Sequence, residues 1–168
     1  MIGVLYGEGE GKTTSLFGHA LRAAGRGWHV GIFQFLKNGD SGEHISVCQC
    51  LPHVDIYSFG PHGRVIFKST KTERDKRDAM HGWEKVEKTS LKYELVCLDE
   101  IFPAIELGFI PVERVTSWLD RKPRAQYIFM TGRNLPPEIA ERADLASQVC
   151  NIKHWYDKGI KAVKGIEF

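Results

Sequence analysis

Met1-Ile2-Gly3-Val4-Leu5-Tyr6 runs directly into Gly7-Glu8-Gly9-Glu10-Gly11-Lys12-Thr13-Thr14, an apolar run followed at once by a glycine turn, a lysine and two hydroxyls. The first six residues read as a buried strand. From Thr13 to Ala24 the apolar residues Leu16, Phe17, Ala20, Leu21 and Ala24 recur at helical spacing, and Gly25 and Gly27 supply a stop. A strand, a glycine turn and a helix in that order are the context a phosphate-binding loop requires. Glycines allow the backbone to fold so tightly that successive N–H groups point inward, and the helix adds the positive end of its dipole. Lys12 then reaches terminal phosphates as a point charge, and the Thr13 hydroxyl ligates a magnesium ion bridging phosphate oxygens. The usual pattern has a further glycine five residues before the Gly11-Lys12 pair; here Tyr6 occupies that place.

Along the rest of the chain apolar runs alternate with helical patterns, the signature of a parallel sheet with helices on its faces. Further strands are expected at Trp28 to Phe35, Leu95 to Leu98, Tyr127 to Met130 and Gln148 to Ile152, giving five with the first. Val112, Val115 and Leu119 mark a helix between Pro111 and Pro123, and Ile139 with Ala143 marks another opened by Pro136 and Pro137. Between Lys37 and Lys92, Gly39, Gly42, Gly60 and Gly63 interrupt the pattern, and mobile loops are expected there, with a hint of helix in Met80, Trp83 and Val86. The expected fold is α/β: a single P-loop NTPase-like domain over residues 1–168, with a mostly parallel open sheet, flanking helices and a basic tail from about residue 153.

Two more strand ends carry polar chemistry. Leu95-Val96-Cys97-Leu98 ends in Asp99-Glu100, placing two carboxylates at the carboxyl end of a strand, where open parallel sheets bind ligands. One of them holds magnesium directly or through water and the other orients it or a nucleophile. The run Tyr127 to Met130 continues into Thr131-Gly132-Arg133, whose guanidinium can clamp a phosphate or carboxylate.

Composition narrows the rest. In 168 residues, 23 basic against 21 acidic side chains leave a formal charge of +2, so no broad nucleic-acid or membrane patch is implied and an anion site must be local. No apolar run is long enough to span a bilayer and no secretory leader pattern is visible, which reads as cytoplasmic. Cys48, Cys50, Cys97 and Cys150 are too scattered for a disulfide framework. His44, Cys48, Cys50 and His53 have ligand types that suit zinc, but their spacing matches no common zinc pattern.

Four segments in one order, GEGEGKTTSLFGHALRAAGRGWHVGIFQFLK, ELVCLDE, YIFMTGRNLPPEIAERADLASQV and KHWYDKGIKAVKGIEF, resemble the corrinoid adenosyltransferases of cobalamin salvage over most of the chain. The resemblance implies transfer of the 5′-deoxyadenosyl group of ATP to the reduced cobalt of a corrinoid, with release of triphosphate. By it, Gly7, Glu8, Gly9, Glu10, Gly11, Lys12, Thr13 and Thr14 cradle the triphosphate, Thr13 and Glu100 join Asp99 around magnesium, and Lys12, Thr13 and Glu100 carry the catalytic electrostatics. Glu10 stands where the family usually has lysine. Ser58-Phe59-Gly60-Pro61 corresponds to a Gly-Phe-Thr-Trp segment whose aromatics help strip the lower cobalt ligand, which points to Phe59. The family also implies a homodimer and a reductase supplying Co(I). The residues alone leave open a nucleotide kinase or NTPase, which would yield ADP or a phosphorylated acceptor, and a carrier that binds ATP and corrinoid without turnover.

Overall fold

The computed structural model describes residues 1–61 and 66–166, apart from the side chains of Tyr156 and Asp157. Gly63 and the last two residues of the tail lie outside the described residues. Strand β1 (Ile2–Tyr6) and the glycine turn lead into α1 (Lys12–Ala24), followed by β2 (Val30–Phe35), α2 (Gly42–Cys50), β3 (Val54–Phe59) and α3 (Glu73–Thr89). A short 3₁₀ turn precedes β4 (Leu95–Asp99), after which come α4 (Ile101–Glu106), α5 (Val112–Arg121), β5 (Tyr127–Gly132), α6 (Pro137–Ala140) and β6 (Leu145–Gln148). The six strands form one sheet in the order β3-β2-β4-β5-β1-β6, and every pairing is parallel.

Because side chains alternate across a strand, each face of the sheet gathers its own apolar cluster. Val30 and Ile32 of β2 with Leu95 and Cys97 of β4 pack beneath Leu16, Phe17 and Ala20 of α1 and Val47 of α2. Their alternates, Phe33, Phe35, Val96 and Leu98, pack on the opposite face with Trp83 and Val86 of α3, Phe102 of α4 and Trp118 of α5. A sheet covered on both sides thus divides the apolar interior of one domain in two. Among the described residues no helix is long and apolar enough to cross a membrane.

Three expectations are corrected. Residues 37–92 are not chiefly loops: α2, β3 and α3 lie there. The charged residues of α3 hid a helix whose Ala79, Trp83 and Val86 recur on one buried face and whose start is closed by a capping box between Thr72 and Asp75. The sixth strand, β3, escaped notice because Asp55 and Ser58 break the apolar run of Val54-Asp55-Ile56-Tyr57-Ser58-Phe59, of which only Val54 is buried, as suits a sheet edge. The last strand runs from Leu145 to Gln148, earlier than the Gln148–Ile152 expected, since this opposite edge is largely exposed and has little apolar signal.

Candidate active site

A row of polar side chains crosses the carboxyl end of the sheet on the face covered by α1. Gln34 of β2 is in register with Ser58 of β3 on one side and Asp99 of β4 on the other, and the β4–β5 register brings Thr131 beside Asp99. Each interrupts or closes an otherwise apolar strand at the level where the glycine loop approaches. Ser58 donates to Gln34 Oε1 at 3.1 Å, and His44 Nδ1 lies 3.3 Å from Ser58 Oγ.

Asp99, fully buried, is the hub. Its Oδ1 accepts from Thr131 Oγ1 at 2.8 Å and from Thr13 Oγ1 at 3.0 Å; its Oδ2 accepts from Gln34 Nε2 at 3.1 Å and from Lys37 Nζ at 2.8 Å. Burial opposes ionisation of Asp99, but the Lys37 ammonium and the hydroxyl and amide donors outweigh it and hold the carboxyl below its ordinary range. Burial likewise works against the charge on Lys37, and Asp99 overcomes it, keeping the ammonium above its usual value. Unpairing a buried ion of this kind typically costs about 3–5 kcal/mol.

Glu100 follows in a left-handed conformation, φ 57°, that side chains other than glycine adopt rarely. Its amide donates to Thr131 Oγ1 at 2.9 Å, which helps to hold it there. Burial first, and then the neighbouring Asp99 charge, push its carboxyl above the ordinary range. The two adjacent carboxyls thus diverge: one is locked as an anion, the other is held ready to gain from a cation.

The glycine loop is tied to the strand ends beside it. Gly7 N donates to the carbonyls of Gly132 and Arg133 at 3.2 and 2.9 Å, and Gly9 N donates to Val149 O at 2.9 Å. The Gly7 and Gly9 amides therefore fasten the loop instead of facing inward as expected; the opening amides of α1 at Lys12, Thr13 and Thr14, which lack intrahelical acceptors by position, are left for an anion. Lys12 Nζ folds back to donate to Gly9 O. Partial burial lowers its pKa from the ordinary value, with Glu100 opposing.

Two cavities meet here. The smaller, about 350 Å³, is lined by Gly11, Lys12, Thr13, Thr14 and Phe17 of the loop and α1, with Glu10, Glu43 and Ile166 at its margins. The larger, about 550 Å³, has apolar walls in Leu36, Ile66, Phe67, Pro103 and Leu107 and polar ones in Glu8, Lys68, Glu106, Arg133 and Asn134. Lys37 and Glu100 line both.

The structure therefore brings together Lys12, Thr13, Thr14, Asp99 and Glu100. Arg133 is placed on the larger cavity, 3.3 Å from Glu8, both side chains exposed. Glu10 lies 3.5 Å from His154, so the tail packs back toward the loop. Phe59 is not among the converging residues: its ring packs between Phe35 and His81, on the sheet face away from the loop. His44, Cys48, Cys50 and His53 do not converge either; His53 packs edge-on against His29, and among the described residues no group of three or more His, Cys, Asp or Glu is placed to hold a metal. Sequence reading missed Gln34, Lys37 and Ser58. Its available signal was a lone polar residue inside an apolar strand, as in Phe33-Gln34-Phe35 and Tyr57-Ser58-Phe59.

An open parallel sheet with a glycine loop after its first strand, a lysine and hydroxyl opening the next helix, and a buried aspartate facing them define a P-loop nucleotide-binding protein. Residues 1–168 match the family model described as ATP:corrinoid adenosyltransferase BtuR/CobO/CobP. The corrinoid adenosyltransferase of Pseudomonas aeruginosa is 32% identical over 164 residues, covering 96% of this chain and 80% of that one. Those of Escherichia coli K12 and Salmonella typhimurium are each 31% identical over 167 residues, covering 98% of this chain and 84% of theirs. The chain belongs to the ATP:corrinoid adenosyltransferase family, and is a transferase with ATP and a corrinoid as substrates. Among solved structures, the cytoplasmic domain of EssC aligns with a TM-score of 0.57 at 18% identity, covering 97% of this chain and 33% of that one. The EssC ATPases 2 and 3 of Geobacillus thermodenitrificans align at 0.53 and 18%, covering 99% of this chain and 36% of theirs. The chain thus spans about a third of those proteins, and at that identity the likeness concerns the fold.

Proposed function

We propose that the smaller cavity holds the triphosphate of ATP, that the larger receives the corrinoid, and that the 5′-deoxyadenosyl group passes between them. The observation carrying this reading is that Lys37 and Glu100 line both cavities, which makes one continuous site of a polar anion cradle and a larger, partly apolar recess. The Co(I) centre of the corrinoid is the nucleophile. Its electron pair forms the cobalt–carbon bond at C5′ as the carbon–oxygen bond breaks, and that bonding pair leaves with triphosphate, taking cobalt formally to Co(III). The reacting atom is carbon, so the loop binds a leaving group; the Lys12 ammonium and the opening amides of α1 stabilise the charge that grows on it. Arg133 is assigned to the junction with the larger cavity, and Phe59 to the scaffold behind the corrinoid side.

The donor set fits magnesium. The Thr13 hydroxyl and the Asp99 carboxylate, 3.0 Å apart, and the Glu100 carboxylate next in the chain are hard oxygen donors, too few for a protein cage, so phosphate and water would complete the shell. Magnesium bound there supplies Lewis-acid neutralisation of phosphate oxygens. A homodimer is supported by apolar tail residues left uncovered, among them Ile152 at 89% and Val163 at 46% exposure. A cytoplasmic setting and a separate reductase that supplies Co(I) complete the proposal.

The decisive experiment is anaerobic incubation of the protein with magnesium, ATP and chemically reduced corrinoid. The expected result is an alkyl-cobalt absorption spectrum with one triphosphate released per corrinoid consumed. Formation of ADP in place of triphosphate would instead assign phosphoryl transfer to the loop, and binding of both ligands without product would leave a carrier.

A further inference from the structure

Lys37 belongs neither to the glycine loop nor to the acidic strand end, yet its ammonium lies 2.8 Å from Thr13 Oγ1 and 2.8 Å from Asp99 Oδ2. These are a hydroxyl and a carboxylate assigned above to magnesium. We infer that Lys37 is a resident counter-cation that holds the place of the divalent ion and yields it when metal and triphosphate arrive together. This inference rests on the magnesium placement under the proposed function.

Lone-pair bookkeeping supports the exchange. The Thr13 hydroxyl spends its proton on Asp99 Oδ1, so its oxygen is left to accept, and Lys37 takes that position. Each Asp99 oxygen already receives two donors, about the capacity of a carboxylate. A divalent ion approaching Thr13 Oγ1 or Asp99 Oδ2 therefore competes with a donor at both atoms. Of the donors on Oδ2, Gln34 is buried inside β2, whereas Lys37 follows the end of that strand with its side chain 32% exposed. The flexible four-carbon stem lets the ammonium withdraw while the backbone stays.

The ammonium has a second place to go. Lys37 lines the smaller cavity beside Lys12 and Thr14, where the triphosphate brings several oxyanions, and it also borders the larger cavity. Without nucleotide, withdrawal would strand the ammonium against Glu100 and Glu43 alone, the other acidic groups that act on it. With nucleotide, the ammonium exchanges one carboxylate for a polyphosphate. The site should then discriminate against bare divalent ions and accept the metal together with ATP. Lys37 acts here as a positioning residue for the metal.

Manganese binding, followed by electron paramagnetic resonance without nucleotide or corrinoid, tests this at neutral pH. Wild-type protein should bind Mn²⁺ alone weakly, and Lys37→Met should bind it at least about tenfold more tightly, because the competing cation is gone and Asp99 lacks compensation. The thermal midpoint of K37M should fall in chelator and recover with Mn²⁺, a rescue absent in wild type. A purely structural lysine would give equal or weaker Mn²⁺ binding in the variant, and that result overturns the inference. Should K37M not fold, the ¹⁵Nζ resonance of Lys37 in the wild-type protein, assigned with Lys37→Arg, carries the test. It should shift when Mg²⁺ and a non-hydrolysable ATP analogue are added together and stay in place with Mg²⁺ alone; no shift with both ligands rejects the exchange. Failure of adenosyl transfer with these results intact would sink the reaction assignment and leave the exchange standing.

Discussion

Thr13 Oγ1 donates to Asp99 Oδ1 at 3.0 Å across 86 residues of chain, joining the first turn of α1 to the end of β4. The contact holds the loop hydroxyl against the buried carboxylate, where the proposed magnesium would meet both, and it makes Thr13 separable from the general grip of the loop on phosphate. Thr13→Ala should therefore abolish the magnesium dependence of ATP binding while leaving the fold intact, since the remaining donors to Asp99 persist. Calorimetric titration with ATP in magnesium and in chelator should give two affinities differing about tenfold or more in the wild type and converging in T13A. Thr13→Ser, which keeps the hydroxyl, should restore the gap; a gap undiminished in T13A would remove Thr13 from the metal.

Lys12 tests the cradle itself. Its ammonium now rests on Gly9 O and must turn toward an arriving phosphate, so it contributes a charge-assisted contact present only with ligand. Lys12→Ala should weaken ATP binding by about 1.5–3 kcal/mol, roughly 10- to 150-fold, with little change in thermal midpoint. Equilibrium dialysis with labelled ATP measures it. Unchanged affinity would mean that the nucleotide lies elsewhere.

Legibility followed how the information was stored along the chain. The loop and the Asp99-Glu100 pair were readable because strand, turn and helix are consecutive and buried parallel strands are apolar without interruption. Lys37, Gln34 and Ser58 were not, because their role depends on three strands far apart in sequence lying in register at the same height. Edge strands β3 and β6 failed for a related reason: β6 is largely exposed, and Asp55 and Ser58 break the apolar run of β3, so the signal that betrays a central strand is missing. In α3, charge on the outer face outweighed the buried stripe of Ala79, Trp83 and Val86.

The glycines of the loop should differ in cost. At Gly7, with φ 113°, a Cβ would stand 2.4 Å from Val149 O, a backbone atom of the neighbouring strand end that has little room to retreat. At Gly11, with φ 103°, a Cβ meets nothing within 4 Å, so only backbone strain applies, about 1–3 kcal/mol. Gly7→Ala should accordingly lower stability in urea well beyond Gly11→Ala, and should also loosen the β1–β6 edge, where amide exchange at Val149 would accelerate. Equal destabilisation by the two variants would show that the loop is not clamped against β6.

Glu100 links stability to pH with a sign opposite to that of Asp99. Burial and the adjacent Asp99 charge raise its carboxyl above the ordinary 4.5, so the folded state holds the proton more tightly than the unfolded chain does. The resulting stability is fully present below the unfolded value and is lost as pH rises through the folded one, so at higher pH the buried carboxyl weighs against the fold. Glu100→Gln should thus raise the thermal midpoint in chelator at pH 7, and the gain should fade below about pH 4.5, where the wild-type carboxyl is protonated as well. The same variant should weaken magnesium-dependent ATP binding if, as proposed, the carboxylate whose burial weighs against the fold is also a ligand of the ion. Midpoints measured from pH 4 to pH 8 decide the matter: a gain that is constant across the range, or a loss at neutral pH, would show that burial does not raise the Glu100 carboxyl in the fold.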